Sequence, residues 1–130
     1  YIKTALVYFI LALVIGLIEA AQSVLPFDSP PLFAVYFHLL AEGWLTFLII
    51  GVVFWMFPKF SRENPRGSIR LGWASYGLLN AGLLLRIIAE PLNSTAPNPA
   101  LGWMLVVSAI MQWFGGMAFV INTWARVKEK

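Results

Sequence analysis

Four apolar stretches, at about 2–25, 31–57, 68–90 and 100–125, take up nearly the whole of this 130-residue chain. A hydrocarbon core about 30 Å thick is crossed by about 20 helical residues, so each stretch is long enough to span it. Inside lipid the backbone must satisfy its own hydrogen bonds. That leaves helices or a closed barrel, and none of the stretches has the two-residue alternation of a barrel strand. Each is therefore predicted to be a helix. Pro26, Pro30 and Pro31 separate the first two, Pro58, Pro65 and Gly67 bracket the next break, and Pro91, Pro97 and Pro99 frame the last. Proline punctuates in this way because it lacks the amide that a helix interior uses. Breaks this short make successive helices antiparallel neighbours. The predicted fold is all-α, a single integral membrane domain over 1–130 forming a four-helix up-down-up-down bundle. Composition agrees, with 60% hydrophobic and 12% charged residues and a mean hydropathy of +0.78, and a separate soluble domain has no room. The chain opens on Tyr1. Residues 2–18 are too long an apolar run, without a cleavage pattern, for a signal peptide, and are expected to be a span whose start is trimmed.

Positive charge is one-sided. Lys3, Lys59, Arg62, Arg66, Arg70, Arg126, Lys128 and Lys130 all fall at span ends on the same side. The positive-inside rule then predicts both termini and the 58–67 loop to be cytoplasmic, with the loops around Asp28 and around Asn93 to Asn98 facing outward. The net charge of +3 thus reflects topology, and nucleic acid is not an expected partner. Trp55, Trp73, Tyr76, Trp103 and Trp124 lie near span ends and are expected to anchor at the headgroup level. Gly72, Gly77, Gly82, Gly115 and Gly116 offer close helix approach, with Ser68/Gly72 and Gly77/Ala81 at the small-xxx-small spacing. The absence of cysteine removes disulfides, iron–sulfur clusters, thiolate metal sites and covalent c-type haem.

Polar side chains inside the spans are gathered at one depth. Glu19 of helix one, His38 and Glu42 of helix two, and Arg86 and Glu90 of helix three all fall in the outward half, at 1.5 Å per residue. Ionisable groups at membrane depth are costly unless something binds them, so they are functional candidates. His38 and Glu42 are four residues apart and share a helix face, as do Arg86 and Glu90. Each pair can be self-contained, and the second can equally cap a helix end beside Pro91. Glu19 can bond to a neighbouring helix or snorkel to the surface. The lone histidine is the sharpest of these residues. An imidazole can ligate a metal or haem iron, with its other ring nitrogen oriented by an acceptor such as Glu42 or a backbone carbonyl, or it can simply be a hydrogen-bonded packing residue. The candidate metal ligands are His38, Glu42 and Glu19, for copper or zinc as well as iron. Gln112 and Asn122 are the polar positions of helix four, with Met104, Met111 and Met117 nearby. Gln112 is expected to bond across the bundle and the methionines to pack, an axial methionine being the alternative.

Helix two, HLLAEGWLTFLIIGVVFWMFPKF, places a histidine five residues before a Gly-Trp pair, then an aliphatic run with Gly51, Met56, Pro58 and a basic loop. It resembles helices of haem-copper oxidase subunit I relatives, particularly the small subunit I-like membrane proteins and the nitric-oxide-response membrane proteins of the NnrS type. Helix four, SAIMQWFGGMAFVINTWARV, is similar to the final helix of the same small proteins. The resemblance implies that His38 is an axial haem ligand and that Arg86 meets a haem propionate. The chain departs from full oxidase subunits in having four helices instead of about a dozen and in lacking the further histidines of a second haem and copper. The large subunit is itself three pseudo-equivalent four-helix arcs, so the resemblance favours a homo-oligomer: a dimer giving bis-histidine haem, or a trimer giving a trigonal histidine site.

The expectation is therefore a small haem- or metal-binding protein of the cell membrane, handling electrons or a diatomic gas such as O2 or NO, with no residue assigned to catalysis. Two other classes stay open. One is a non-catalytic structural or assembly protein with an oxidase-like bundle. The other is a proton- or ion-conducting oligomer lined by Glu19, His38 and Glu42.

Overall fold

The computed structural model describes residues 1–22, 24, 30–62, 65–124 and 126–127. Among these residues all regular secondary structure is helical: α1 (Ile2–Gln22), α2 (Phe33–Met56), α3 (Ile69–Thr95) and α4 (Pro99–Trp124), each long and apolar enough to cross a membrane. Pro26, Asp28, Lys128 and Lys130 of the sequence reading lie outside the described residues.

Side-chain contacts give the direction of each helix. Tyr1 Oη donates to the Gly72 carbonyl (2.9 Å), Thr4 Oγ1 shares a hydrogen bond with Tyr76 Oη (2.8 Å), and Tyr8 Oη donates to Asn80 Oδ1 (2.7 Å). Both partners ascend in number together, so α1 and α3 run parallel. Gly51 of α2 meets Ile2 while Gly16 of α1 meets Tyr36, so α1 and α2 run antiparallel. Gly82 meets Ser108 and Leu79 meets Gly115, so α3 and α4 do the same. Short connections between apolar helices produce this alternation.

The core lies among the first three helices. Ala5, Tyr8 and Ala12 of α1, Val35, Leu39, Phe47 and Ile50 of α2, and Leu79 and Leu83 of α3 form one buried cluster. Helix α4 runs along α3 and meets α2 where the Phe119 ring packs edge-on to Phe54, centroids 5.9 Å apart. Its other side presents Trp103, Trp113, Phe114 and Ile121 outward. The arrangement is a three-helix core with α4 laid against α3, less symmetric than the expected bundle. Trp55, Trp73, Trp103 and Trp124 are exposed, as belt residues are. Tyr76 departs from the belt expectation. It packs against the core and bonds Thr4, because its hydroxyl finds a partner inside.

Two local features were not expected. Helix α3 continues through Pro91 to Thr95 instead of ending at residue 90. Proline costs one amide bond, and here the turn beyond it is held by Ser94 Oγ and Thr95 Oγ1 donating to the Pro91 carbonyl (2.8 and 3.1 Å). Within α2, residues Leu39–Thr46 form a π-helical segment. The Phe47 amide donates to the Glu42 carbonyl and Thr46 Oγ1 to that of Ala41 (2.9 Å), each reaching five residues back. At its middle, Gly43 is wedged between Tyr8 and Leu83, where a Cβ would come within 2.8 Å of the Tyr8 ring.

The α2–α3 loop is pinned to α4 by Asn122. Its Oδ1 accepts from the Ser68 amide at 2.7 Å, and Gly67 beside it has φ +78, where a Cβ would stand 2.6 Å from Asn122 Oδ1. A side chain at Gly67 is strained by its backbone and blocked by its neighbour. Gly67→Ala is expected to lower stability by about 2 kcal/mol, read as an earlier unfolding midpoint in detergent micelles.

Candidate functional site

Among the described residues, the lysines and all arginines but Arg86 lie at one end of the fold, and His38 and the glutamates in the other half. The start of α1, the end of α2, the start of α3 and the end of α4 carry Lys3, Lys59, Arg62, Arg66, Arg70 and Arg126. The other half carries His38, Glu42, Arg86 and Glu90, with Ser108 and Gln112 supplied by α4.

His38 closes the first, α-helical part of α2, immediately before the π-helical segment. Its Nε2 approaches Glu90 Oε2 on α3 at 3.0 Å, the ring being 23% and the carboxylate 32% exposed. The imidazole partner is thus Glu90 across the helix pair, where the spacing had suggested Glu42 on the same helix. The pair has the distance of an ion pair without the alignment of a hydrogen bond, since Oε2 lacks an aligned donor. It links the two helices at a point where both are partly open to the surroundings.

The four-residue spacing of Arg86 and Glu90 allows a self-contained pair, yet each reaches to another helix. Arg86 Nε donates to Ser108 Oγ over a long 3.4 Å. Ser108 is fully buried, donates to the Gly82 carbonyl at 2.7 Å and also receives Gln112 Nε2 at 3.4 Å. One hydroxyl therefore gathers a cation, an amide and a neighbouring backbone. Gln112 bonds within its own helix, while its stem packs on Gly82. Glu42 lies within electrostatic range of Arg86. Its Oε1 is buried without a hydrogen-bond partner, the kind of orphaned atom that marks a ligand site or a proton site.

Glu19 belongs elsewhere. Its Oε2 accepts from the Leu32 amide at 3.2 Å, which satisfies one of the free donors at the start of α2. It lines a separate cavity of about 400 Å³ with Gly16, Phe33 and Tyr36. Among the described residues no three of His, Asp and Glu converge as a metal would require. A metal on His38 would take further ligands from another molecule.

Glu90 as the histidine's partner and Ser108 as the junction were missed in the sequence. For Glu90 the signal was its depth, equal to that of His38. For Ser108, a serine in an apolar helix, nothing distinguished it from a small packing residue. Comparison with protein-family models, curated proteins and solved structures found no match for this chain.

Proposed function

We propose that this chain is a multi-pass membrane protein that binds haem or a metal ion through His38 in the outward half of its helices, as a homo-oligomer. The observation that carries the reading is the 3.0 Å approach of Glu90 to the imidazole. A carboxylate hydrogen-bonded to one ring nitrogen fixes the tautomer and orientation of a metal-ligating histidine and raises its basicity, and Glu90 stands at that distance, though without that alignment. With Nε2 turned to Glu90, Nδ1 is the nitrogen left for a ligand. The orphaned Oε1 of Glu42 adds an acceptor nearby, and Arg86 supplies the positive charge for an anionic edge such as a propionate. Because no three of His, Asp and Glu converge among the described residues, we assign the remaining ligands to a second copy. The basic end faces the cytoplasm, as one-sided Lys and Arg require. This reading extends the resemblance of helix two to oxidase subunit I relatives. A bound haem or metal would supply one-electron chemistry or a seat for a diatomic gas.

The test is an absorption spectrum and metal analysis of protein purified with its native lipid. A haem band or a bound metal near one per oligomer is expected, lost in His38→Ala and shifted in Glu90→Gln. Neither chromophore nor metal in the native protein would remove the reading.

The unpartnered Glu42 favours a second reading, a proton path through Glu42 and His38. It predicts proton flux into liposomes that Glu42→Gln stops, with no bound metal.

A further inference from the structure

The basic end of the fold contains a charge that the chain leaves incompletely matched. Arg126 follows α4, and its side chain is only 2% exposed. It is tucked under the end of α2. Nε donates to the Pro58 carbonyl at 3.0 Å, and Nη2 to those of Phe57 at 2.9 Å and Phe54 at 3.4 Å. A cation on the last carbonyls of a helix is favourable, so part of its role is to cap α2. The cap does not use the whole group. Nη1 is buried without a partner, and among the described residues no carboxylate forms an ion pair with the guanidinium.

Its surroundings worsen the mismatch. Burial, and next the charge of Arg66, pull the Arg126 guanidinium below its ordinary pKa. Arg126, Arg66 and Lys59 line one cavity of about 350 Å³, whose other walls include Trp55, Phe57 and Ile69. Three cations beside apolar side chains, with the Phe57 ring itself 5.9 Å from the Arg126 guanidinium, suit an anion that carries a hydrocarbon. The cavity sits at the end of the membrane-length helices, where lipid headgroups lie.

We propose that this cavity binds the phosphate of an anionic phospholipid. Arg126 and Arg66 face the phosphate oxygens, Lys59 closes the rim, and Trp55, Phe57 and Ile69 carry the glycerol and upper acyl chain. Guanidinium groups match phosphate by paired hydrogen bonds, and basic pockets between membrane helices recognise headgroups in this way. A free phosphate would leave the apolar wall unused. The site is separate from His38 and rests on the four helices crossing a membrane, which resistance of the protein to carbonate extraction tests by itself.

Native mass spectrometry of the full chain in detergent, titrated with phosphatidylglycerol and with phosphatidylcholine, tests the proposal. Phosphatidylglycerol is expected to bind at about tenfold lower concentration, a preference that weakens with added salt. Arg126→Gln risks misfolding because that residue caps α2. The exposed pair is therefore changed instead: Lys59→Gln with Arg66→Gln should erase the preference at unchanged helical content. Equal binding of the two lipids, or displacement by millimolar inorganic phosphate, overturns the lipid assignment. Glu63 and Glu129 lie in the adjoining sequence, outside the described residues. If phosphatidylglycerol binds only after Glu63→Gln or Glu129→Gln, the chain's own carboxylate fills the cavity and the proposal fails.

Discussion

Gly82→Leu is expected to cost about 3 kcal/mol of stability, whereas Gly116→Leu, on the helix that Gly82 touches, is expected to cost nothing. At Gly82 an added Cβ would stand 2.8 Å from Gln112 Cγ and 3.0 Å from the Ser108 carbonyl oxygen. The first atom can move aside. The second is backbone and can move only with α4. Forcing the helices apart also stretches the 2.7 Å bond from Ser108 Oγ to the Gly82 carbonyl. Overpacking of a close contact costs about 1–3 kcal/mol, and a lost buried hydrogen bond about 1 more. Gly116 has nothing within 4 Å of its would-be Cβ, so leucine there gains helix propensity and meets no neighbour. Its chain neighbour Gly115 would meet Leu79 at 2.8 Å and is expected to behave like Gly82. Unfolding of the three variants in mixed micelles reads the difference. Equal losses at Gly82 and Gly116 would mean that α3 and α4 do not pack as described.

Those glycines show where sequence reasoning stops. The helices themselves, their number and the basic end were legible, since length, apolarity and proline breaks dictate them. The depth of His38, Glu42, Arg86 and Glu90 was legible too, because rise per residue is constant. Rotation of each helix about its axis was not. A helix that is apolar all round has no hydrophobic stripe to reveal its inner face. Gly77 and Gly82 therefore looked alike, although Gly77 faces open space and Gly82 a backbone. For the same reason the spacing offered Glu42 as an acceptor for His38, where the geometry brings Glu90 across from α3. The π-helical turn at Leu39–Thr46 has no composition signal of its own, and the run through Pro91 depended on hydroxyls that lie after it. Arg126 looked like one more basic flank, and its burial under α2 is a tertiary fact.

Glu42→Leu is expected to stabilise the protein by about 2 kcal/mol while weakening the ligand binding proposed at His38. A carboxylate oxygen buried without a hydrogen bond costs about 1–3 kcal/mol or more, and leucine removes that cost. The gain is realised only if no partner is orphaned in exchange. Arg86, the cation within range of Glu42, keeps its bond to Ser108 Oγ. Among the described residues it forms no ion pair with Glu42 that the change would break. Glu19 makes the contrast. Its carboxylate caps the Leu32 amide, so Glu19→Leu should lose about 1 kcal/mol. Opposite signs for two membrane carboxylates separate a group kept for chemistry from one kept for structure. Stability in micelles, measured beside haem or metal content, carries the comparison. A Glu42→Leu variant destabilised by more than about 1 kcal/mol would make Glu42 a structural counter-charge to Arg86. A stabilised variant that retains full ligand content would leave that carboxylate without a role in binding.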